Sequence, residues 1–278
     1  MRIGVMAYSF AGALRRGEMT LPRVLEFVAA LGVREVELVD AQVDALGVEP
    51  VRDRLRALGL SVSCYDIVRA DPVQSTEAER QAAEAKLRAG LDDAASLGAG
   101  VTLVVPGPYR VGVERERAKA ELAATLTRLT GYAAERGIAL TIEDFGVEAA
   151  TGCTSDSLLE LCRAAPGLGV TYDSGNFVFG GQSPLEAWDT LAPLVRHVHV
   201  KDFVVAKPER AAADRYRRSL SGEAYMGAVL GHGLIANAEI VARIRAGGYG
   251  GSLSVEYEGP DDPRPSVREG VEYLRQLL

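Results

Sequence analysis

"VRHVHVKDF" occupies residues 195–203 and holds two of the three histidines in the chain. Val195, His197, His199 and Lys201 alternate with Arg196, Val198, Val200 and Asp202, the period-2 pattern of a β-strand, so both imidazoles and Lys201 share one face. A histidine on a buried strand face is either a hydrogen-bonded core residue or a ligand. His197 lies one strand repeat, about 6.6 Å, deeper than His199, which makes His197 the supporting or core member and His199 the ligand candidate.

The run is one of eight. Moving outward, the others are "RIGVMAYSF", "VREVELVD", "LSVSCYDI", "GVTLVVPG", "ALTIEDFG", "GVTYDSGNF" and "GSLSVEYEG". Helical patterns lie between and after them, near 20–31, 48–58, 75–97, 114–136, 154–164, 184–193, 235–246 and 265–277. Thr20 before Leu21 and Pro22 marks one start, and "LG", "RG" and "GGYG" mark stops. Eight βα units without a linker or composition break predict one closed (β/α)8 TIM barrel over residues 1–278 rather than an open sheet. The absence of G-x-G-x-x-G after the first strand weakens a dinucleotide-binding alternative.

Bulk properties narrow the function. The chain is 278 residues long, 47% hydrophobic and 25% charged, enough to fill a sizeable core. A net charge of -7 without a dense basic stripe argues against nucleic acid as partner. Cys64, Cys153 and Cys162 lack C-x-x-C spacing and fit a reducing compartment. No signal-like N-terminus and no run of ~18 apolar residues are present, so the expectation is a cytoplasmic protein without a membrane partner. Nothing here excludes a homo-oligomer.

In a barrel, chemistry gathers at the C-terminal ends of the strands. Strand five ends on Glu143, strand six on Asp173, strand seven carries His199 and strand eight Glu256. Three carboxylates buried together without a cation would cost several kcal/mol apiece. One divalent metal ion removes that difficulty. The oxygen-dominated set favours Mn2+ or Mg2+, and Co2+, Fe2+ or Zn2+ are compatible with it.

At these residues the chain resembles the sugar phosphate isomerase/epimerase family, with its xylose isomerase-like TIM barrel. "TIEDFG", "YDSGNF", "HVHVKD" and "GYGGSLSVEYEG" carry the resemblance, which runs from the first strand to "VEYLRQLL". It implies that Glu143, Asp173, His199 and Glu256 bind one metal and that Glu143 and Glu256 are also the catalytic acid and base. The implied activity is isomerisation or epimerisation of a keto sugar or related polyol through an enediolate, on a small-molecule carbohydrate substrate. The chain departs from the ketose-epimerase pattern at Asn176, where histidine is frequent, and at Ala149, where a second glutamate is frequent.

Four further residues are candidate substrate contacts: Lys201 nearer the mouth, Asn176 after strand six, Glu37 facing the barrel interior, and His197. Asn176 could equally cap a loop, and Glu37 could equally meet a neighbouring strand. His232 in "LGHGLI" reads as a loop histidine. The stretch 203–233 is too long for a simple connection and could fold over the mouth. Its Lys207, Arg215, Arg217 and Arg218 read as a solvated charged face.

The main alternative is a metal-dependent dehydratase of an inosose-like keto polyol, with Lys201 as assisting acid. An endonuclease acting at apurinic sites needs a histidine-rich ligand set that three histidines cannot supply. A non-catalytic subunit is disfavoured by the complete ligand set.

Overall fold

The computed structural model describes residues 1–107, 112–144, 154–207 and 216–278. Seven barrel strands come in chain order as β1 (Arg2–Met6), β2 (Glu35–Val39), β3 (Ser61–Ile67), β4 (Val101–Val104), β5 (Ala139–Ile142), β6 (Gly169–Asp173) and β7 (Val195–Val200). Three strands of an excursion follow, β8 (Asp202–Val205), β9 (Arg217–Arg218) and β10 (Ala224–Ala228), before the eighth barrel strand, β11 (Ser252–Val255). Order around the closed barrel is β1-β11-β7-β6-β5-β4-β3-β2, with every neighbouring pair parallel. The expected barrel is the one observed.

Helices α1 (Ala11–Arg15), α2 (Leu21–Ala30), α3 (Asp40–Asp44), α4 (Val48–Leu58) and α5 (Glu77–Leu97) occupy the first half. The second half adds α6 (Arg115–Ala134), α7 (Ser155–Ala164), α8 (Pro184–Leu191), α9 (Asn237–Ala246) and α10 (Pro263–Leu277). Their ends follow local chemistry. Thr76 and Glu79 form a reciprocal capping box that starts α5, and Gly98, at φ +77°, stops it. Thr20 occupies the N-cap of α2 but lends no side-chain bond, leaving Pro22 as the stronger start signal.

Outward strand residues such as Val36, Leu38, Leu140, Val198 and Leu253 are buried against the helices in one continuous apolar core. The barrel interior is different. Thr102, Thr141 and Thr171 are fully buried there, with Thr141 Oγ1 2.8 Å from Thr171 Oγ1 and donating to the Thr102 carbonyl at 3.1 Å. Glu37, Asp66 and His197 are also buried, so the centre of the barrel is hydrogen-bonded where branched aliphatic layers are the rule.

The stretch after β7, too long for a simple connection, carries a small sheet of its own. Strands β8, β10 and β9 form an antiparallel sheet in that order. Asp202 fixes it: its carboxylate accepts from the backbone amides of Phe203, Gly231, Gly233 and Ile235. Gly227 of β10 lies directly on the chain beyond β11, where an added Cβ would stand 2.4 Å from the carbonyl carbon of Glu258. Arg215 lies outside the described residues, as do Ala149 and Cys153. No helix among the described residues is long and apolar enough to cross a membrane.

Candidate metal centre

Strand register sets the levels of the centre. Thr171 of β6 pairs with His197 and Asp173 with His199, while Ser254 of β11 is level with His199. Glu256, two residues further on, enters from the layer of Lys201. Glu143 follows the last residue of β5. One donor atom from each of Glu143, Asp173, His199 and Glu256 lies within 4.8 Å of the others, and all four residues are buried.

His199 is held at both ring nitrogens. Nε2 is 2.7 Å from Glu37 Oε1, while Nδ1 is 2.5 Å from Glu143 Oε1, 3.6 Å from Glu256 Oε2 and 3.8 Å from Asp173 Oδ2. A carboxylate only accepts, so Glu37 takes a proton from Nε2 and Glu143 one from Nδ1; an ion at the centre would take the place of the Nδ1 proton. Burial alone would lower the imidazole, but Glu37 and Glu143 push it well above the usual histidine range.

Asp173 divides its two oxygens. Oδ1 accepts from the amides of Gly175 and Asn176 at 2.7 and 2.8 Å, which starts the 3-10 turn Asn176–Gly180. Oδ2 accepts no well-formed hydrogen bond, and neither does Glu256 Oε2. Both are within ion-pair reach of Lys201 Nζ, at 2.9 and 2.7 Å. Burial, with Glu258 beside it, pushes Glu256 up to about 8 against the pull of Lys201. Burial also raises Glu143, partly offset by His199.

Two buried oxygens without a well-formed hydrogen bond, a third carboxylate and one oriented imidazole nitrogen fit a single divalent ion. The same four residues are those the sequence brings forward. The other candidates fall in different places. Glu37 and His197, considered above as substrate contacts, are 0% and 1% exposed, and Glu37 gives both oxygens to the two histidines, the second at 3.0 Å from His197 Nε2. Their position is that of a support beneath the centre.

Asn176 is 2% exposed, with its side-chain Oδ1 unpartnered among the described residues. Lys201 is equally buried. His232 is exposed and pairs with Glu269 at 2.9 Å, as a loop histidine would. Lys207, Arg217 and Arg218 are exposed too, and Arg217 also pairs with Glu258.

Several acids went unnoticed in the sequence. Glu258 accepts from Lys201 Nζ at 2.8 Å, and although burial opposes it, Lys201 and Arg217 hold Glu258 down to about 2. Its position two residues beyond Glu256 was the available signal, since alternation keeps both on one face. Asp66, next to last in β3, lies beside Glu37, and burial with that neighbour pushes it well above the usual range. Asp144 is fully buried with neither oxygen hydrogen-bonded among the described residues.

Beside Glu258 opens a cavity of about 360 Å³, lined among others by Tyr8, Arg15, Tyr216, Arg217 and Tyr257. Its walls come from the end of β1, the excursion and the segment after β11.

A family model described as "xylose isomerase-like TIM barrel" matches residues 25–277. An inosose dehydratase of Geobacillus thermodenitrificans is 27% identical over 149 residues, 53% of this chain and 48% of that protein, so the match spans about half the length of that relative. Among solved structures, the IolI protein with a bound zinc atom superposes with a TM-score of 0.80 at 14% identity, covering 100% of this chain and 98% of that one. A D-psicose 3-epimerase from Clostridium cellulolyticum, solved with D-tagatose, gives 0.78 at 14% identity over 100% and 99%. At such identities the two structures speak for the fold alone.

Proposed function

The chain belongs to the xylose isomerase-like TIM barrel family, and from that footing we propose that it is a metal-dependent enzyme that isomerises or epimerises a keto sugar or related polyol. The observation that carries this reading is the convergence of Glu143, Asp173, Glu256 and the Nδ1 side of His199. These residues would hold one divalent ion, Mn2+ or Mg2+ by the hardness of the donors. When bound, such an ion supplies a Lewis acid that polarises a ketone and acidifies the neighbouring C–H.

The residues of the chain do the rest. Glu143 and Glu256 stand after β5 and β11, with β6 and β7 between them around the barrel. One carboxylate removes the proton beside the carbonyl, leaving an enediolate. The other returns a proton to the opposite face, which inverts the centre; return to the neighbouring carbon gives the aldose–ketose isomer. Burial of both carboxyls keeps bulk water from competing for the proton. The cavity beside Glu258, with its tyrosines and arginines, suits a hydroxyl-rich small molecule.

A second reading has one specific support. Lys201 Nζ is 2.7 Å from Glu256 Oε2, close enough to serve the same substrate. Glu256 would take the α proton while the β C–O bond breaks. The ammonium would give its proton to the departing hydroxide, releasing water and leaving a C=C bond. The inosose dehydratase among the relatives makes inososes the first substrates for this test.

Free and phosphorylated ketoses and inososes, incubated with Mn2+ or Mg2+ in D2O, decide between them. Isomerisation or epimerisation yields an isomeric sugar with deuterium at the exchanged carbon. Dehydration yields a product lighter by one water. No deuterium entry and no turnover across the panel would overturn both.

A further inference from the structure

Lys201 sits at the seam between the centre and the excursion. Its buried ammonium is 2.9 Å from Asp173 Oδ2, 2.7 Å from Glu256 Oε2 and 2.8 Å from Glu258 Oε1. Two of those oxygens belong to the candidate ligand set, and both lack a well-formed hydrogen bond. The third does not belong to it. Glu258 is gripped from its far side by Arg217 of β9, and β10 presses on its backbone at Gly227. It therefore has a fixed position that does not depend on what the ligand carboxylates are doing.

We propose that Lys201 is a resident cation holding Asp173 and Glu256 in place before an ion arrives, and that Glu258, anchored by Arg217, is the seat that keeps the ammonium once the ion takes those two oxygens. The inference rests on the metal reading above. Without any cation, Glu143, Asp173 and Glu256 would repel one another in a buried site. A lysine meets that need because its charge is a point on a flexible four-carbon stem, able to exchange partners by a small swing. The exchange needs a partner already within reach, and Glu258 Oε1 is one. Glu258 thus sets metal affinity without being a ligand, acting as a positioning residue through Lys201.

Calorimetric titration with Mn2+ of the parent, Lys201→Met, Glu258→Gln and the double variant tests this, with circular dichroism confirming that each is folded. Glu258→Gln should weaken binding by about tenfold or more, because the amide retains the ammonium poorly and leaves it on the ligand oxygens. Lys201→Met should tighten binding by roughly tenfold, because a competing positive charge is gone. In the Met background the Glu258→Gln penalty should vanish, since there is no ammonium left to seat.

A penalty that persists there, or weaker binding by folded Lys201→Met, would overturn the proposal. Should Lys201→Met not fold, a Mn2+-soaked crystal of the parent decides: Nζ should stay within hydrogen-bond reach of Glu258 Oε1 and release Asp173 Oδ2 and Glu256 Oε2. An ammonium still bridging those two beside a bound ion would overturn it. A parent that binds none of Mn2+, Mg2+, Co2+ and Zn2+ would overturn the metal reading and this inference with it, whereas binding indifferent to Glu258 would overturn the inference alone.

Discussion

Glu37 joins the two histidines of β7, one oxygen 3.0 Å from His197 Nε2 and the other 2.7 Å from His199 Nε2, across 160 residues of sequence to the nearer one. The carboxylate reaches from β2 to β7 through the middle of the barrel, three strands away around the wall. Its fixed charge decides which nitrogen of His199 faces the other acids.

Replacing Glu37 by Gln keeps the size but removes the charge that orients His199. We expect Mn2+ affinity to fall by about 10 to 100-fold, measured by calorimetry. His197→Ala should cost less than His199→Ala, because the Glu37–His199 bond survives the first change and not the second. Equal losses from the two histidine variants would remove the distinction between support and ligand.

Metal addition should raise stability by mass action. At a free Mn2+ concentration 100-fold above its dissociation constant, the native state gains about 2.7 kcal/mol. The thermal midpoint, followed by calorimetry with Mn2+ and again with excess chelator, should drop on chelation. A midpoint indifferent to both treatments would speak against a structural site for the ion.

Glu143→Gln and Glu256→Gln each keep one oxygen donor while removing a base. Solvent deuterium entry beside the carbonyl of an accepted ketose should fall by ~10² or more in either variant. Exchange at the parent rate in a metal-loaded variant would leave that glutamate a ligand only, with Lys201 the next base to test.

Gly227→Ala drives a methyl into the backbone at Glu258. Overpacking of this kind costs about 1–3 kcal/mol, so the chemical-denaturation midpoint should fall while the slope stays near that of the parent. No change in midpoint would mean that β10 shifts away freely.

Asp202→Ala leaves four backbone amides without their shared acceptor. Each buried amide left unpaired costs about 1–3 kcal/mol unless water reaches it. Hydrogen exchange should therefore speed up at Gly231, Gly233 and Ile235 before it does in β7. Uniform loss of protection across the barrel would instead mark Asp202 as a determinant of the whole fold.

The eight barrel strands were legible because each is a short apolar run closed by a turn, and the ligand candidates because Glu143, Asp173, His199 and Glu256 end such runs. Contacts made across the closed barrel were not legible. Glu37 reads as interior by alternation, yet its partners depend on barrel closure bringing β2 opposite β7. Likewise Asp202 stands beside Lys201 but on the other face, and three of its four amides come from residues 231–235, about 30 residues later, in an irregular stretch with weak local signals. Arg217 looked like one of a charged cluster; only the sheet β8-β10-β9 turns it onto Glu258.

The four acid and imidazole donors all come from one arc of the barrel, β5, β6, β7 and β11, which are consecutive around the wall. Among the described residues, the other arc, β1 to β4, bonds to the donors through Glu37, from below. The segment following β1 lines the cavity beside Glu258 and carries none of the four donors, so it can be altered without disturbing them. For an engineer retargeting this scaffold, the loops after β1, where Tyr8 and Arg15 already border the cavity, are the place to diversify, and the β5–β11 arc is the part to leave untouched.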